Sequence, residues 1–440
     1  MRKKYAAAVI CFLLVLATAS PAHSYNSDKF FHQTRDLRHE TRYMTGNWEN
    51  EREELSDKGI TFNMTFVFDL LGNPFGGNER GARYDHSMGW DVNFDLEKFA
   101  GMLGTQFHVS GLWRQGQNLS KATIGNSIVC STIYGHEQFR FYFLYLEKTF
   151  LNDRFNLRVG RIATGDDFAA SPLYWTFISN GIDGMPITIP INLFYTVYPT
   201  TTWGARLKTA LFGDFNMMSG LYNGDEGVGR DCMYGLDFSL RLKKGIMYAQ
   251  EFSYNPNTKP GATGMPGNYK VGFYYDSGVF RDVYYDINGN SAAVSGLDNK
   301  KHIGNYGLYF HADQLIYREN KTTDQGLTPL FVACLAPDNI NQFVSFLMTG
   351  VIYKGLIPGF DQDLTAAQMT YVGWSDQWSL NNADAGNAPQ KFEAMFELTY
   401  KKFITPWMYL QPDMQYIIRP GGTGKIKDAL VVGAQFGLIF

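Results

Sequence analysis

Beyond its first two dozen residues this chain has no apolar run near the ~18–20 residues that a membrane-spanning helix needs. Charge is sparse at 18% of residues, the net value is only -3, and no basic block occurs, so nucleic acid is not an expected partner. Four cysteines occur. One, Cys11, lies in the leading segment, which leaves Cys130, Cys232 and Cys334 in stretches that read as loops. An odd number allows at most one internal disulfide, and the three are spaced too widely for a zinc cluster. His108, His136, His302 and His311 show no H-x-x-x-H spacing, and there is no G-x-S-x-G elbow. Neither metal nor cofactor is expected.

What is abundant is Phe (34), Tyr (27) and Gly (45), a balance that suits many strands joined by turns. Met1 to Lys4 is basic, Tyr5 to Leu16 is apolar, and Ala22 to Ser24 offers small residues for cleavage, so residues 1–24 read as a signal peptide. Residues 25–59 are charged at first, then form a short helical pattern from Trp48 to Leu55 that ends at Gly59. They are too few for an independent core and read as a periplasmic or plugging segment ahead of a barrel over 60–440.

That barrel follows from alternation. A transmembrane strand of about 9–11 residues turns every second side chain to lipid and the others to the lumen. In the stretch from Phe392 to Lys401, Phe392, Ala394, Phe396, Leu398 and Tyr400 share one face, and Glu393, Met395, Glu397, Thr399 and Lys401 the other. Leu236, Phe238, Leu240 and Leu242 alternate with Asp237, Ser239, Arg241 and Lys243 in the same way. At the end, Leu430, Val432, Ala434, Phe436, Leu438 and Phe440 share a parity, and the terminal aromatic suits recognition by barrel-assembly machinery.

The spacing predicts strands near 60–71, 88–98, 104–114, 138–148, 154–162, 202–211, 214–222, 233–243, 246–255, 268–276, 304–313, 341–354, 366–376, 392–402, 407–418 and 428–440. The fold class is therefore all-β, a transmembrane antiparallel β-barrel of about 16 strands, a size that leaves an aqueous channel. Phe212 to Phe215, Lys243 to Gly245 and Phe403 to Pro406 read as tight turns on one rim. Gly165 to Pro199, Pro256 to Asn268, Asp276 to His302 and Asn320 to Asn341 read as loops on the other. The first of these is long enough to fold inward and narrow the pore.

The same residues resemble the carbohydrate-selective porins of Gram-negative outer membranes, the OprB family. The likeness begins at Thr45-Gly-Asn-Trp48 and Leu55-Ser-Asp-Lys-Gly-Ile60. It is strongest from Leu157-Arg-Val-Gly-Arg-Ile-Ala163 through Gly165-Asp-Asp-Phe-Ala169 to Ser171-Pro-Leu-Tyr174. It resumes at Trp203-Gly-Ala-Arg206 and Gly220-Leu-Tyr-Asn-Gly-Asp225, and closes with Thr405-Pro-Trp-Met-Tyr-Leu-Gln-Pro-Asp-Met-Gln-Tyr416. The resemblance implies an outer-membrane location, outer-membrane lipid around the barrel and carbohydrate solutes within it. One departure is Phe143, which shares the inward parity of Phe141 and Tyr145 where relatives often have a glutamate.

A sugar presents apolar C–H faces and hydroxyls, so a selective lumen needs aromatic surfaces beside paired donors and acceptors, with binding weak enough for release. Inward parity offers Phe141, Tyr145 and Tyr409 as surfaces, Glu147, Asp237, Glu251, Glu393, Glu397 and Asp413 as acceptors, and Arg158, Arg206 and Arg241 as donors. Arg161, Asp166 and Asp167 stand where the long loop begins. The leading candidates are Arg158, Arg161, Asp166, Asp167 and Glu397. The plain alternative is that such charges only pair across a wet wall.

Three rival functions follow: a general non-selective pore, a structural or adhesive barrel, and a hydrolase. Glu393 and Glu397 invite a glycosidase reading, but four residues along one strand span about 13.6 Å, too far for the carboxylate pairs of retaining or inverting enzymes. No residue in the sequence decides whether barrels associate into a homo-oligomer.

Overall fold

A sheet with one aliphatic and one charged face leaves two raw edges unless its first and last strands meet. In the computed structural model, which describes residues 42–135, 137–259, 261–321 and 323–440, they do. β1 (Ile60–Gly77) pairs antiparallel with β17 (Lys427–Ile439), with Phe66 opposite Leu438 and Asp69 opposite Gln435. The expected leader and residues 25–41 lie outside the described residues.

Between those edges run β2 (Gly81–Asp95), β3 (Thr105–Gly116), β4 (Gln138–Phe150), β5 (Phe155–Ile162), β6 (Thr202–Ala210), β7 (Phe215–Asn223) and β8 (Ile246–Tyr254). Then come β9 (Gly267–Asp286), β10 (Asn299–Gln314), β11 (Tyr317–Arg318), β12 (Gly326–Leu335), β13 (Phe343–Lys354), β14 (Leu364–Trp374), β15 (Phe392–Thr405) and β16 (Met408–Ile418). Each pairs with its chain neighbours in a single closed sheet. The two residues of β11 continue β10 against β12 after a break at Leu315 and Ile316, so the wall has sixteen strands. Inner and outer faces follow the alternation: on β15, Glu393, Met395, Glu397, Thr399 and Lys401 are all buried, whereas Phe396 and Leu398 are 43% and 49% exposed.

Two strand assignments change. Residues 233–243 do not form a strand, and 326–335, expected to be loop, form β12. The first change has a cause in the wall. β5 is so short that its pairing with β4 stops at Leu144 opposite Arg161, which leaves the upper part of β4 without a neighbour. The 224–245 loop fills that notch. Tyr234 O accepts from Phe141 N at 3.0 Å, Gly229 O from Arg140 at 2.7 Å and Phe238 O from Trp203 Nε1 at 2.8 Å. Leu236, Phe238, Leu240 and Leu242 face outward, 42–58% exposed, so the alternation reports a real outer surface without a hydrogen-bonded ladder.

A register shift between β3 and β4 brings both Tyr142 and Phe143 inside and puts Phe141 opposite Gly111, so Phe141 is not a lumenal surface. The stretch from Asp276 to His302 is largely strand, the extended β9–β10 hairpin. Residues 255–266 lie on the rim of the tight turns, where Asn255 N donates to Asp214 O and Lys259 to Gly213 O. Cys334 is on β12 and not in a loop; Cys130, Cys232 and Cys334 are all free thiols. Burial pushes the Cys130 thiol up to about 12, which keeps it in the unreactive form.

Below the tight-turn rim, the helix α1 (Glu51–Asp57) presses a short N-terminal segment onto the seam between β1 and β17. Met44 N donates to Ile439 O, and Tyr43 OH to Asn63 Oδ1 at 2.8 Å. The Arg52 guanidinium lies between the rings of Tyr43 at 3.9 Å and Trp48 at 4.0 Å and donates to Phe62 O. Arg52→Ala removes two ring contacts and two hydrogen bonds, to Phe62 O and Thr45 Oγ1, and is expected to cost on the order of 2 kcal/mol. The check is the temperature at which the folded band converts in gel electrophoresis. An unchanged temperature would show that the clamp contributes nothing.

Candidate channel site

Wall strands alone would leave a wide hole, and the narrowing comes from the loops between β3 and β4 and between β5 and β6. A loop pushed into the lumen must satisfy its backbone away from bulk water, and the inner wall supplies the partners. Glu397 accepts from Ile178 N at 2.6 Å, Ser179 N at 3.4 Å and Ser179 Oγ at 2.5 Å. Lys401 donates to Trp175 O at 2.9 Å, Gln411 to Thr176 O at 2.8 Å and Lys270 to Ala170 O at 2.7 Å. Glu251 accepts from Ala169 N at 3.3 Å and from Tyr309 OH at 2.9 Å. On β13, Phe343 exchanges two hydrogen bonds with Asn192.

The other loop is gripped the same way. Glu393 accepts from Ser127 N and Ile128 N at 2.9 and 2.6 Å, and from Gly421 N at 2.6 Å. Gln415 donates to Cys130 O at 2.9 Å, and also to Asp413 at 2.8 Å. Ser131 Oγ lies 2.7 Å from Asp69 and 2.9 Å from Asp85. The loops join one another where Thr132 N donates to Ile178 O and Asn180 N to Val129 O.

Thus fastened, the longer loop fills the side of the lumen away from β1–β4 with its own apolar core. Phe168, Tyr174, Phe177, Ile178, Ile182 and Ile189 are all 0–1% exposed. The space left open, a cavity of about 660 Å³, runs between that loop and β1–β4. Thr65, Ser87, Asp91, His108, Ser110, Arg114, Tyr142 and Phe143 line the wall side, and Asp166, Trp175, Asn180, Asp183, Tyr198 and Thr200 the loop side. Tyr134, Glu226 and Arg230 reach it from the neighbouring loops.

Each lining group is oriented. Tyr198 OH lies 2.6 Å from Ser87 Oγ, and the Arg114 guanidinium covers its ring at 4.5 Å. Tyr142 OH donates to Asp166 at 2.9 Å, and His108 pairs with Asp91 at 3.1 Å. The Trp175 ring lies against Gly184, next to Asp183. Neither carboxyl oxygen of Asp183 accepts a hydrogen bond of ordinary geometry, and the neighbouring Thr132 hydroxyl donates to Ile178 O instead. Burial holds the Asp183 carboxyl well above the usual carboxylate range, which favours the protonated form, able both to donate and to accept.

Of the residues singled out in the sequence, Asp166 borders this passage. Arg158, Glu147, Arg206 and Asp167 instead form a buried cluster at the root of the long loop. Arg158 donates to Glu147 at 2.8 and 2.9 Å and to Asp167 at 3.1 Å, and Arg206 donates to Asp167 at 3.1 Å. Tyr145 lies under Arg158 and stacks on His108 at 4.9 Å. Arg161 donates to Asp237 O and Thr201 O beside the notch. Asp237 and Arg241 pair with each other at 3.5 Å in the 224–245 loop, off the lumenal wall. Glu251, Glu393 and Glu397 bind loop amides, Asp413 accepts from Gln415 on the wall at 2.8 Å, and Tyr409 OH is taken by Gln435 at 2.7 Å.

The passage residues that sequence reading missed fall into two kinds. Arg114, Ser110 and His108 share the inward parity of β3 and carried a usable signal. Trp175, Asn180, Asp183 and Tyr198 sit in a loop, where no period exists to read.

Comparison with known proteins agrees with this architecture. The family model described as "Carbohydrate-selective porin, OprB family" matches residues 79–440. Porin B of Pseudomonas aeruginosa is 26% identical over 422 residues, covering 91% of this chain and 92% of that protein. The high-pH structure of Pseudomonas putida OprB superposes with a TM-score of 0.86 at 25% identity, over 92% of this chain and 99% of that one. The low-pH structure of the same protein shares the fold at a TM-score of 0.60 and 18% identity, over 92% of this chain and all of that one. A closed sixteen-strand wall, an inward loop that leaves one polar and aromatic passage, and this match over most of the sequence make the chain an outer-membrane channel that belongs to the carbohydrate-selective porin, OprB, family.

Proposed function

We propose that mono- and small oligosaccharides pass between the long loop and β1–β4, and that selectivity resides in Trp175, Asn180, Asp183, Asp166 and Arg114. The observation that carries this reading is Asp183. Its carboxyl lines the passage, is 1% exposed and accepts no hydrogen bond of ordinary geometry. It stands one residue from the glycine against which the Trp175 ring lies, so a hydroxyl that reached it would meet an unused donor and acceptor next to an apolar face. A pyranose presents the same two features. Such contacts are few and partly wet, which suits binding weak enough for release.

Liposome swelling with a sugar series, beside amino acids and ions of equal size, tests the reading. Sugars are expected to enter faster, and equal rates for all solutes would leave only a general pore. Trp175→Ala removes the apolar platform, worth on the order of 1 kcal/mol, and should weaken sugar block of the ion current by about fivefold. Asp183→Asn keeps a donor and an acceptor and should transport sugar nearly as the parent does, whereas Asp183→Leu should not. Identical behaviour of the two Asp183 variants would remove that residue from the site.

A further inference from the structure

Inward charges grip loops or border the passage, but one group of outward charges has no partner. On the outer wall, β9 and β10 carry their apolar ladder past Tyr275 opposite Tyr306 to Val279 opposite Ile303, 64% and 83% exposed. One ladder step further, about 7 Å along the strands, Arg281 stands opposite Lys301. Like charges directly opposite on a ladder repel. The 224–245 loop brings Lys244 to the strand of Arg281, its carbonyl oxygen against Gly278 of β9, with Lys243 next to it in the chain. All four side chains are exposed, and none has a hydrogen bond or ion pair from its charged end among the described residues.

Nearby carboxylates are engaged or turned away. Asp282 faces inward, held by His302 at 2.8 Å and by Tyr284 N and Tyr285 N. Asp276 is 2% exposed and takes Gly278 N. Exposed Asp298 lies towards the hairpin tip, beyond Asn299, which pairs with Asp286 and not with Arg281. Among the described residues of β9 and β10, no carboxylate therefore stands on the outer face beside Arg281 and Lys301, which lie directly above an apolar and aromatic belt. The pair lies on the rim that carries the long loops, which in bacterial barrels faces outward.

We propose that this band binds the phosphates of a phosphorylated, acylated glycolipid of the outer leaflet. Lys243, Lys244, Arg281 and Lys301 hold the phosphate groups, and Val279 with Ile303 meets the acyl chains. An arginine beside lysines is well matched to phosphate oxygens, and a bound anion removes the repulsion that the bare pair carries. The apolar residues immediately below favour a lipid over free phosphate.

The test uses the full chain in neutral detergent, with lipid A, dephosphorylated lipid A and inorganic phosphate as probes and bound lipid counted by native mass spectrometry. The quadruple variant K243Q/K244Q/R281Q/K301Q is expected to retain about tenfold less lipid A or lower still, from the loss of four charges near an anionic headgroup. Dephosphorylated lipid A should bind the parent as poorly as lipid A binds the variant. Sugar swelling rates should be unchanged, because none of the four residues borders the passage. Equal retention by parent and variant, or equal binding of both lipid forms, would overturn the proposal. So would complete displacement of lipid A by millimolar inorganic phosphate, which would indicate a small-anion site. If the quadruple variant fails to insert, R281Q/K301Q should show a smaller drop in the same direction, and no drop in that variant would be equally fatal.

Discussion

Arg158→Ala is expected to lower the stability of the barrel by about 3–5 kcal/mol, the range for removing one member of a buried ion cluster. The guanidinium is 1% exposed and serves two carboxylates at once, Glu147 on the wall and Asp167 on the loop. Its loss leaves both buried with Arg206 as the one remaining ion-pair partner among the described residues, 3.1 Å from Asp167 but 3.9 Å from Glu147. Urea-dependent unfolding from lipid vesicles would read the change as a lower midpoint. Arg158→Lys should recover part of the loss, since an ammonium restores the charge but not the fork that reaches two partners. A midpoint equal to the parent's would mean that Arg206 alone suffices. Because the cluster lies at the root of the loop and away from the passage, sugar preference in the surviving folded fraction should change little.

The opposite pattern is expected for Glu397→Ala, where the wall survives and the filter does not. Four donors converge on this carboxylate: Ile178 N, Ser179 N, Ser179 Oγ and Gln368 Nε2, the last at 2.6 Å. Orphaning buried donors costs about 1–3 kcal/mol each, and the loop can relieve that cost by moving away from β15 into water. Loop anchoring of on the order of 3 kcal/mol would then be lost. Single-channel conductance should rise, and swelling rates for sugars and for amino acids of equal size should converge. Glu397→Gln, which keeps one acceptor oxygen, should lie between the two. Unaltered conductance in Glu397→Ala would show that the remaining attachments hold the loop unaided.

The two variants separate what alternation can disclose from what it cannot. Phe396 and Glu397 fall on opposite faces because of a two-residue period, and that much is visible in the sequence. Whether an inward carboxylate meets water, a solute or a loop backbone depends on the paths of residues 117–137 and 163–201, which follow no period. Glu393, Glu397 and Glu251 were thus placed on the correct face, yet their partners are loop amides.

Leu236 to Leu242 misled in the reverse direction: its outward stripe is genuine, but it stands in a notch left by the short β5 and not in a ladder. β12 contains Pro329, a residue that argues against an interior strand. Structurally, Pro329 pairs with Val351 on β13, and on its other side it falls where the pairing with β10 has ended at Leu330 opposite Asp313. The missing N–H therefore falls beside an interruption.

The wall holds the long loop mostly by its backbone: the carbonyls of Ala170, Trp175 and Thr176 and the amides of Ala169, Ile178 and Ser179. Every residue type except proline presents both groups, so this part of the hold does not depend on which side chains the loop carries. On the proposed route, exchanging Trp175 or Asn180 for another residue is expected to change sugar admission while these backbone contacts stay in place. Solute preference can therefore drift within such a lineage while the barrel stays fixed.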